Sequence, residues 1–238
     1  MESSLKFPGG QGETGEKIRK LRTNAGLTLR DVSGATGLAV STLSKIEKGR
    51  MSLSFDKLTL IARALDVDIA EVLNAELGGS VSAAPGGGGR RVVERSGDGQ
   101  LVETHSYKQF YMANELLRKR FTPIVVEICA RSLDEFTAEF GDLIRHPGEE
   151  YTYVLEGELE FHSELYSPTR LRPGDSIYFD SDMGHAYVRV SAGPCRIVCV
   201  CAGRGKDESL IEKFTSVSEK AATARVPART RKGRSRAA

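Results

Sequence analysis

Residues 27–49 read LTLRDVSGATGLAVSTLSKIEKG, and two short helices can be drawn through them. Thr28 is placed to cap the first, with Asp31 three residues on to complete a capping box. Leu29, Val32 and Ala35 are expected to face inward, and Gly37 stands where a left-handed residue closes the helix. A tight turn through Leu38 and Ala39 leads to a second helix over about Val40 to Lys48. Leu43 and Ile46 are its inward residues and Gly49 ends it. Its outward set is Ser41, Thr42, Ser44 and Lys45, with Val40 at the start.

On the amino-terminal side, Ile18, Leu21 and Ala25 share a helical face that stops at Gly26. On the carboxy-terminal side, Ser54 caps a helix carrying Phe55, Leu58, Ile61 and Leu65, and Ile69, Val72 and Leu73 mark a fifth. Residues 14–76 therefore read as a five-helix bundle. Two short helices joined by a few residues, the second showing small polar and basic side chains, form a helix-turn-helix. A major groove of about 12 Å admits one helix, whose exposed side chains then reach base edges. Lys48 and Arg50 lie at the far end, where they meet phosphates. Taken singly, each of these polar residues is more often plain surface than a base reader. The run as a whole carries the reading.

Ile18 to Leu73 resembles the phage-repressor-like (Cro/C1, XRE-type) helix-turn-helix domains, through Leu27-Thr28, Gly37-Leu38, Ser44-Lys45-Ile46-Glu47 and Gly49. The resemblance implies that Arg22 pairs with Glu47 and that Thr28 and Leu29, with Arg30 beside them, approach the DNA backbone. Val40 and Ser41 stand where some relatives have adenine-reading glutamines, so the operator sequence does not carry over.

Residues 77–91 are rich in glycine, serine and alanine and have no apolar period, the composition of a flexible linker. Residues 216–238 offer almost nothing to bury and are expected to be a disordered basic tail. The net charge of +2 hides a pattern. Residues 14–77 carry +2, residues 90–205 carry −4, and residues 206–238 carry +5, which suits a protein meeting DNA with its ends. No apolar run approaches the ~20 residues that cross a bilayer. Met1 to Gly15 lacks a secretory apolar stretch, so a cytoplasmic location is expected, where the four cysteines stay reduced.

From Phe121 the pattern turns β, in a region expected to span residues 92–215. Strands are read at 124–128, 151–155, 159–161, 176–179 and 196–201, with turn signals at Glu156-Gly157-Glu158 and Arg172-Pro173-Gly174-Asp175. Many short strands with regular turns suit an antiparallel sandwich or barrel. Residues 122–200 resemble the cupin family of small jelly-roll barrels. Its first motif is matched by His146, Glu150 and Gly157, and its second by Gly174 and His185. His146 and Glu150 share strand parity and are expected to point inward together. Ile144 stands where the family has a further histidine ligand. His146, Glu150 and His185 remain as a set for one divalent metal ion. The alternative is a metal-free pocket for an organic ligand. Arg145, Glu149, Tyr151 and Tyr178 lie beside the motif with opposite parity, and His105 and His162 have no spacing partner. Cys195, Cys199 and Cys201 share one strand face. A redox or metal sensor would use that, but filling a barrel wall is the commoner reason. The basic tail, including Arg225, Arg229 and Arg231, either attracts phosphates or solubilises the chain.

The expectation is a sequence-specific DNA-binding transcription regulator with no enzymatic activity, whose cupin domain takes a small-molecule effector and supports a homodimer on an inverted-repeat operator of double-stranded DNA. The resemblance places polyamines and amino-acid derivatives among the effectors, and an acidic β domain is compatible with a cation. The alternative is a metal-dependent cupin oxygenase or isomerase fused to a DNA-binding head.

Overall fold

A computed structural model of the chain describes residues 11–73, 89–95 and 97–203. The expected tail, and the expected linker up to residue 88, lie outside the described residues.

The amino-terminal part is five helices: α1 (Gln11–Asn24), α2 (Leu29–Thr36), α3 (Val40–Glu47), α4 (Phe55–Ala64) and α5 (Ile69–Leu73). The capping box opens α2. The Thr28 hydroxyl accepts from Asp31 N at 3.2 Å while the Asp31 carboxylate accepts from Thr28 N at 2.7 Å. Gly37 (φ 74°) closes that helix, its N–H donating to Ser33 O at 2.9 Å. Leu43 and Ile46 on α3 are each 2% exposed, packed with Ile18, Val32, Leu58 and Ile61. Burying each such side chain contributes about 1.5–3 kcal/mol.

Two alanines depart from expectation. Ala25 is exposed because it lies past the end of α1, in the turn. Ala35 is exposed because two-turn α2 fully buries only Val32. Ser54 occupies the cap position of α4 but donates its hydroxyl to the Asp56 carboxylate instead of receiving a backbone N–H.

The carboxy-terminal part holds nine strands among the described residues. They are β1 (Gln100–Glu103), β2 (Tyr107–Tyr111), β3 (Thr122–Ile128), β4 (Glu149–Glu156), β5 (Leu159–Ser163), β6 (Thr169–Leu171), β7 (Ser176–Asp180), β8 (His185–Arg189) and β9 (Arg196–Ala202). Helix α6 (Leu133–Phe140) follows β3. The strands pair antiparallel into a six-stranded sheet, β1-β2-β3-β9-β4-β7, and a three-stranded one, β6-β5-β8. No closed ring of strands is formed among the described residues, where a barrel was expected. Beyond β5, β8 meets an isolated bridge, Ile144 to His185, in place of a ladder. Tyrosines join the sheets: Tyr187 N on β8 donates to Tyr107 Oη on β2 at 2.9 Å, and Tyr107 Oη donates to Tyr187 O at 3.1 Å.

β structure begins at Gln100, upstream of the expected start. In Tyr107-Lys108-Gln109-Phe110-Tyr111 the buried residues are Tyr107, Gln109 and Tyr111, so a polar residue sits on the inner face and blurs the alternation. α6 was also not anticipated. Ser132 accepts from Glu135 N at 3.1 Å and Gly141 (φ 89°) follows the helix.

Candidate functional site

Two groups of polar residues stand out, one on α3 and one between the sheets. On the first, Arg22 of α1 holds Glu47 at the end of α3 in a two-point contact. Its Nε donates to Oε1 at 2.6 Å and its Nη2 to Oε2 at 3.0 Å, while Nη1 donates to Leu27 O at 2.8 Å. The Glu47 hydrogen bond raises the arginine's pKa, and planar pairing fixes angle as well as distance. Gly15 lets α1 approach α3 closely, since a Cβ there would meet Ile46 O at 2.3 Å. With α3 so held, Val40, Ser41 and Lys45 are exposed and Thr42 and Ser44 half-buried. Lys48 and Arg50 are exposed at its carboxy-terminal end, and Thr28 and Arg30 are exposed at the start of α2, where Leu29 is half-buried. None of the ten is shut inside the protein.

The second group surrounds Glu150 on β4, which is 4% exposed. Tyr187 Oη donates to its Oε1 at 2.7 Å, and Thr152 Oγ1 donates to the same oxygen at 3.0 Å. Its Oε2 faces His146 Nε2 at 3.1 Å, Cys201 Sγ at 3.5 Å and His185 Nε2 at 3.8 Å. Burial pushes the carboxyl's pKa up, but the His146 hydrogen bond, the two imidazoles and Tyr187 pull it to about 2. The group is a carboxylate.

His185 donates from Nδ1 to Met183 O at 2.9 Å, so its bare Nε2 is aimed at that carboxylate. Burial lowers the His185 pKa and favours the neutral ring. A lone pair then faces an anion, an arrangement that a cation between them relieves. An imidazole tied to a backbone carbonyl through one nitrogen is also how proteins orient a metal-binding histidine. Among the described residues, His146 Nδ1 is buried without a hydrogen-bond partner. Donor atoms of His146, Glu150 and Cys201 lie within 4.8 Å of one another. Burial, then the Glu150 charge, raise the thiol pKa values of Cys199 and Cys201, so ligation by Cys201 would displace its proton.

His146 reaches this group by a route other than strand parity. It precedes β4, fixed by its N–H to Ser181 O at 2.9 Å, and Gly148 (φ 120°) makes the bend between it and Glu150. A Cβ on Gly148 would meet Ala202 O at 1.9 Å. Ile144, in the position of the absent histidine, lines the same cavity. That cavity measures about 40 Å³, and its lining includes Phe55, Tyr107, Gln109 and Tyr187. Arg145, Glu149, Tyr151 and Tyr178 are exposed, away from it. His105 is exposed and His162 pairs with Glu160 at 3.0 Å, both outside the cluster.

Three contributors were not singled out as site residues, Tyr187, Thr152 and Phe55, while Cys201 was read with Cys195 and Cys199 as wall filling in preference to a sensor. Cys201 stands directly opposite Glu150 in the β4–β9 register, and Tyr187 arrives from the other sheet. Spacing along one strand carries neither fact.

Residues 18–72 match the helix-turn-helix family and residues 137–201 match the cupin domain family. The chain is a helix-turn-helix protein with a carboxy-terminal cupin domain. The HTH-type transcriptional regulator PuuR of Escherichia coli is 25% identical over 186 residues, covering 77% of this chain and 91% of PuuR. The HTH-type transcriptional regulator DdrOP3 of Deinococcus deserti is 34% identical over 58 residues, 24% of this chain and 45% of that protein. Dimethylsulfoniopropionate lyase DddQ of Ruegeria pomeroyi is 45% identical over 42 residues, 18% of this chain and 21% of the lyase. The match thus spans less than half the length of the last two relatives. The fold is shared with a crystal structure of an HTH_3 family transcriptional regulator from Vibrio cholerae, at TM-score 0.54 and 19% identity over 82% of this chain and 97% of that one. No described helix is long and apolar enough to cross a membrane.

Proposed function

We propose that this chain is a sequence-specific DNA-binding transcription regulator, acting in the cytoplasm, in which a small effector in the cupin domain sets how paired helix-turn-helix heads engage an inverted repeat. The observation that carries this reading is the presentation of α3, with Leu43 and Ile46 buried and Ser41 and Lys45 exposed on a helix fixed by the Arg22–Glu47 pair. Val40, Ser41, Thr42, Ser44 and Lys45 enter the major groove. Lys48 and Arg50, together with Thr28, Leu29 and Arg30 at the start of α2, meet the backbone. A full-length titration at fixed salt on a duplex selected from random sequence should give specific binding about 10³-fold or more tighter than on a scrambled duplex. Equal affinities would overturn the reading.

The heads pair through the cupin domain. On the face of the six-stranded sheet away from Glu150, Tyr151 stands opposite Tyr178 in register, and the two are 40% and 61% exposed. Rows of exposed aromatic side chains suit burial against a second copy. Tyr151→Glu should convert a dimer to a monomer by light scattering.

Glu150, His146 and His185, joined by Cys201, fit one divalent cation. Mixed nitrogen, oxygen and sulfur donors favour a zinc- or iron-like ion over magnesium or calcium. The ion would supply the positive charge that a buried carboxylate facing a neutral imidazole lacks. A matching metal at about 100 times its dissociation constant should stabilise the wild type by about 2.7 kcal/mol and leave His185→Ala unmoved.

The two imidazoles and the carboxylate around a cavity also support a second reading, a metal-dependent cupin enzyme carrying a DNA-binding head. Stoichiometric iron after anaerobic purification, together with oxygen uptake, would favour it.

A further inference from the structure

Phe55 is the first residue of α4 in the DNA-binding head, yet its ring lines the cavity beside Glu150. It meets His146 edge-on with centroids 4.7 Å apart and stacks on Tyr111 at 6.2 Å. Only 8% of it is exposed. Neighbouring contacts hold the head in this position. The Ser52 hydroxyl donates to Glu139 Oε1 on α6 at 2.5 Å, and the Glu139 carboxylate also accepts from His105 N at 2.9 Å and Ser106 N at 2.8 Å. Lys57 Nζ sits 5.4 Å from the Phe140 ring centroid, and Arg118 N donates to Asp68 Oδ2 at 2.8 Å. Head and β domain are thus joined by polar contacts around one inserted ring.

The cavity beneath that ring, about 40 Å³, has room for about three waters, since one needs about 10–15 Å³. An organic effector does not fit unless something leaves. His146, Glu150, Tyr187 and Cys201 form one hydrogen-bonded group on the β domain. Phe55 has no polar atom to satisfy and comes from the helical head rather than from the β domain. Of the lining residues it is the one carried by the head, so it leaves the cavity when the head shifts.

We infer that Phe55 is a gate residue of the effector pocket, and that an effector with a polar group directed at the His146–Glu150 cluster and an apolar body the size of an aromatic ring binds by taking the place of Phe55. This rests on the regulator reading above and names its coupling element. Phe55 begins the helix whose Leu58 and Ile61 pack in the same core as Leu43 and Ile46 of α3. Displacing the ring therefore shifts α4, which packs on α2 and through α2 on the recognition helix, and occupancy and head position bias one another.

The pocket contains its own reporters. Cys199 and Cys201 line it, whereas buried Cys195 and half-buried Cys129 do not. The test is the rate at which 4,4′-dithiodipyridine labels each cysteine of the full-length chain, read by peptide mass spectrometry. Phe55→Ala should speed labelling of Cys199 and Cys201 about tenfold, the change that ~1.4 kcal/mol of lost docking produces, with Cys129 and Cys195 unchanged. The double substitution Ser52→Ala, Lys57→Ala leaves the ring in place and loosens only the polar contacts, so it should raise the same two rates. Unchanged Cys199 and Cys201 rates in both variants would overturn the gate, as would an equal rise at Cys195. Duplex affinity is measured separately. A chain that labels as expected but does not discriminate its selected duplex keeps the gate and loses the regulator.

Discussion

Ser41 and Lys45 on α3 stand in water, whereas Glu150 on β4 is 4% exposed with donors on both oxygens. The first pair is held in place by what lies behind it: Leu43, Ile46 and the Arg22–Glu47 contact. Glu150 is held by what touches it directly. Exposed polar groups keep their hydration and cost the fold almost nothing, whereas a buried carboxylate is tolerated only when hydrogen-bonded. The difference teaches that substitutions on α3 should affect binding without stability, and substitutions around Glu150 should affect stability first.

The largest effect is expected at Glu150→Ala, which strips the acceptor from Tyr187, Thr152 and His146 at once. Leaving those buried donors without an acceptor costs about 1–3 kcal/mol each, measurable by urea denaturation. A loss below about 1 kcal/mol, the range of an exposed ion pair, would remove the contrast between the regions. The pH dependence sharpens it. The folded pKa of Glu150, about 2, lies below the ordinary 4.5, so its contribution is present above pH 4.5 and is lost as pH falls toward 2. Wild-type melting temperature should fall more steeply over that interval than that of Glu150→Gln. Parallel curves would place the stabilising charge elsewhere.

The helical head was legible because its signals are local. Thr28, Asp31 and Gly37 lie within ten residues, and Leu43 and Ile46 within one helical turn. In the β domain the motif spacing singled out His146, Glu150 and His185, yet His146 enters through the Gly148 bend and the Ser181 contact rather than by alternation along a strand. Cys201 and Tyr187 depend on register and on the facing of two sheets, which no single segment encodes. Phe55 was read as core, and it is buried, but partly against the other domain. Helix α6 was legible and passed over: Ser132, Glu135 and Gly141 mark its start and end.

A smaller loss is expected at Thr28→Ala, which removes the capping hydroxyl of α2 and should cost about 1 kcal/mol in denaturation. A neutral result would mean that Asp31 alone supports the start of the helix. Smallest in stability is Ser41→Ala, expected within about 0.5 kcal/mol of wild type because the hydroxyl is exposed. A larger loss would mean that the hydroxyl supports the head itself.

The most direct measurement pairs that insensitivity with DNA. The double substitution Ser41→Ala, Lys45→Ala is titrated by fluorescence anisotropy on the selected duplex and on a scrambled one at the same salt. Unfolding stability should stay at the wild-type value while preference for the selected duplex falls at least about tenfold, since a lost base contact costs ~1–3 kcal/mol. Undiminished preference in a folded variant would contradict the placement of α3 in the groove.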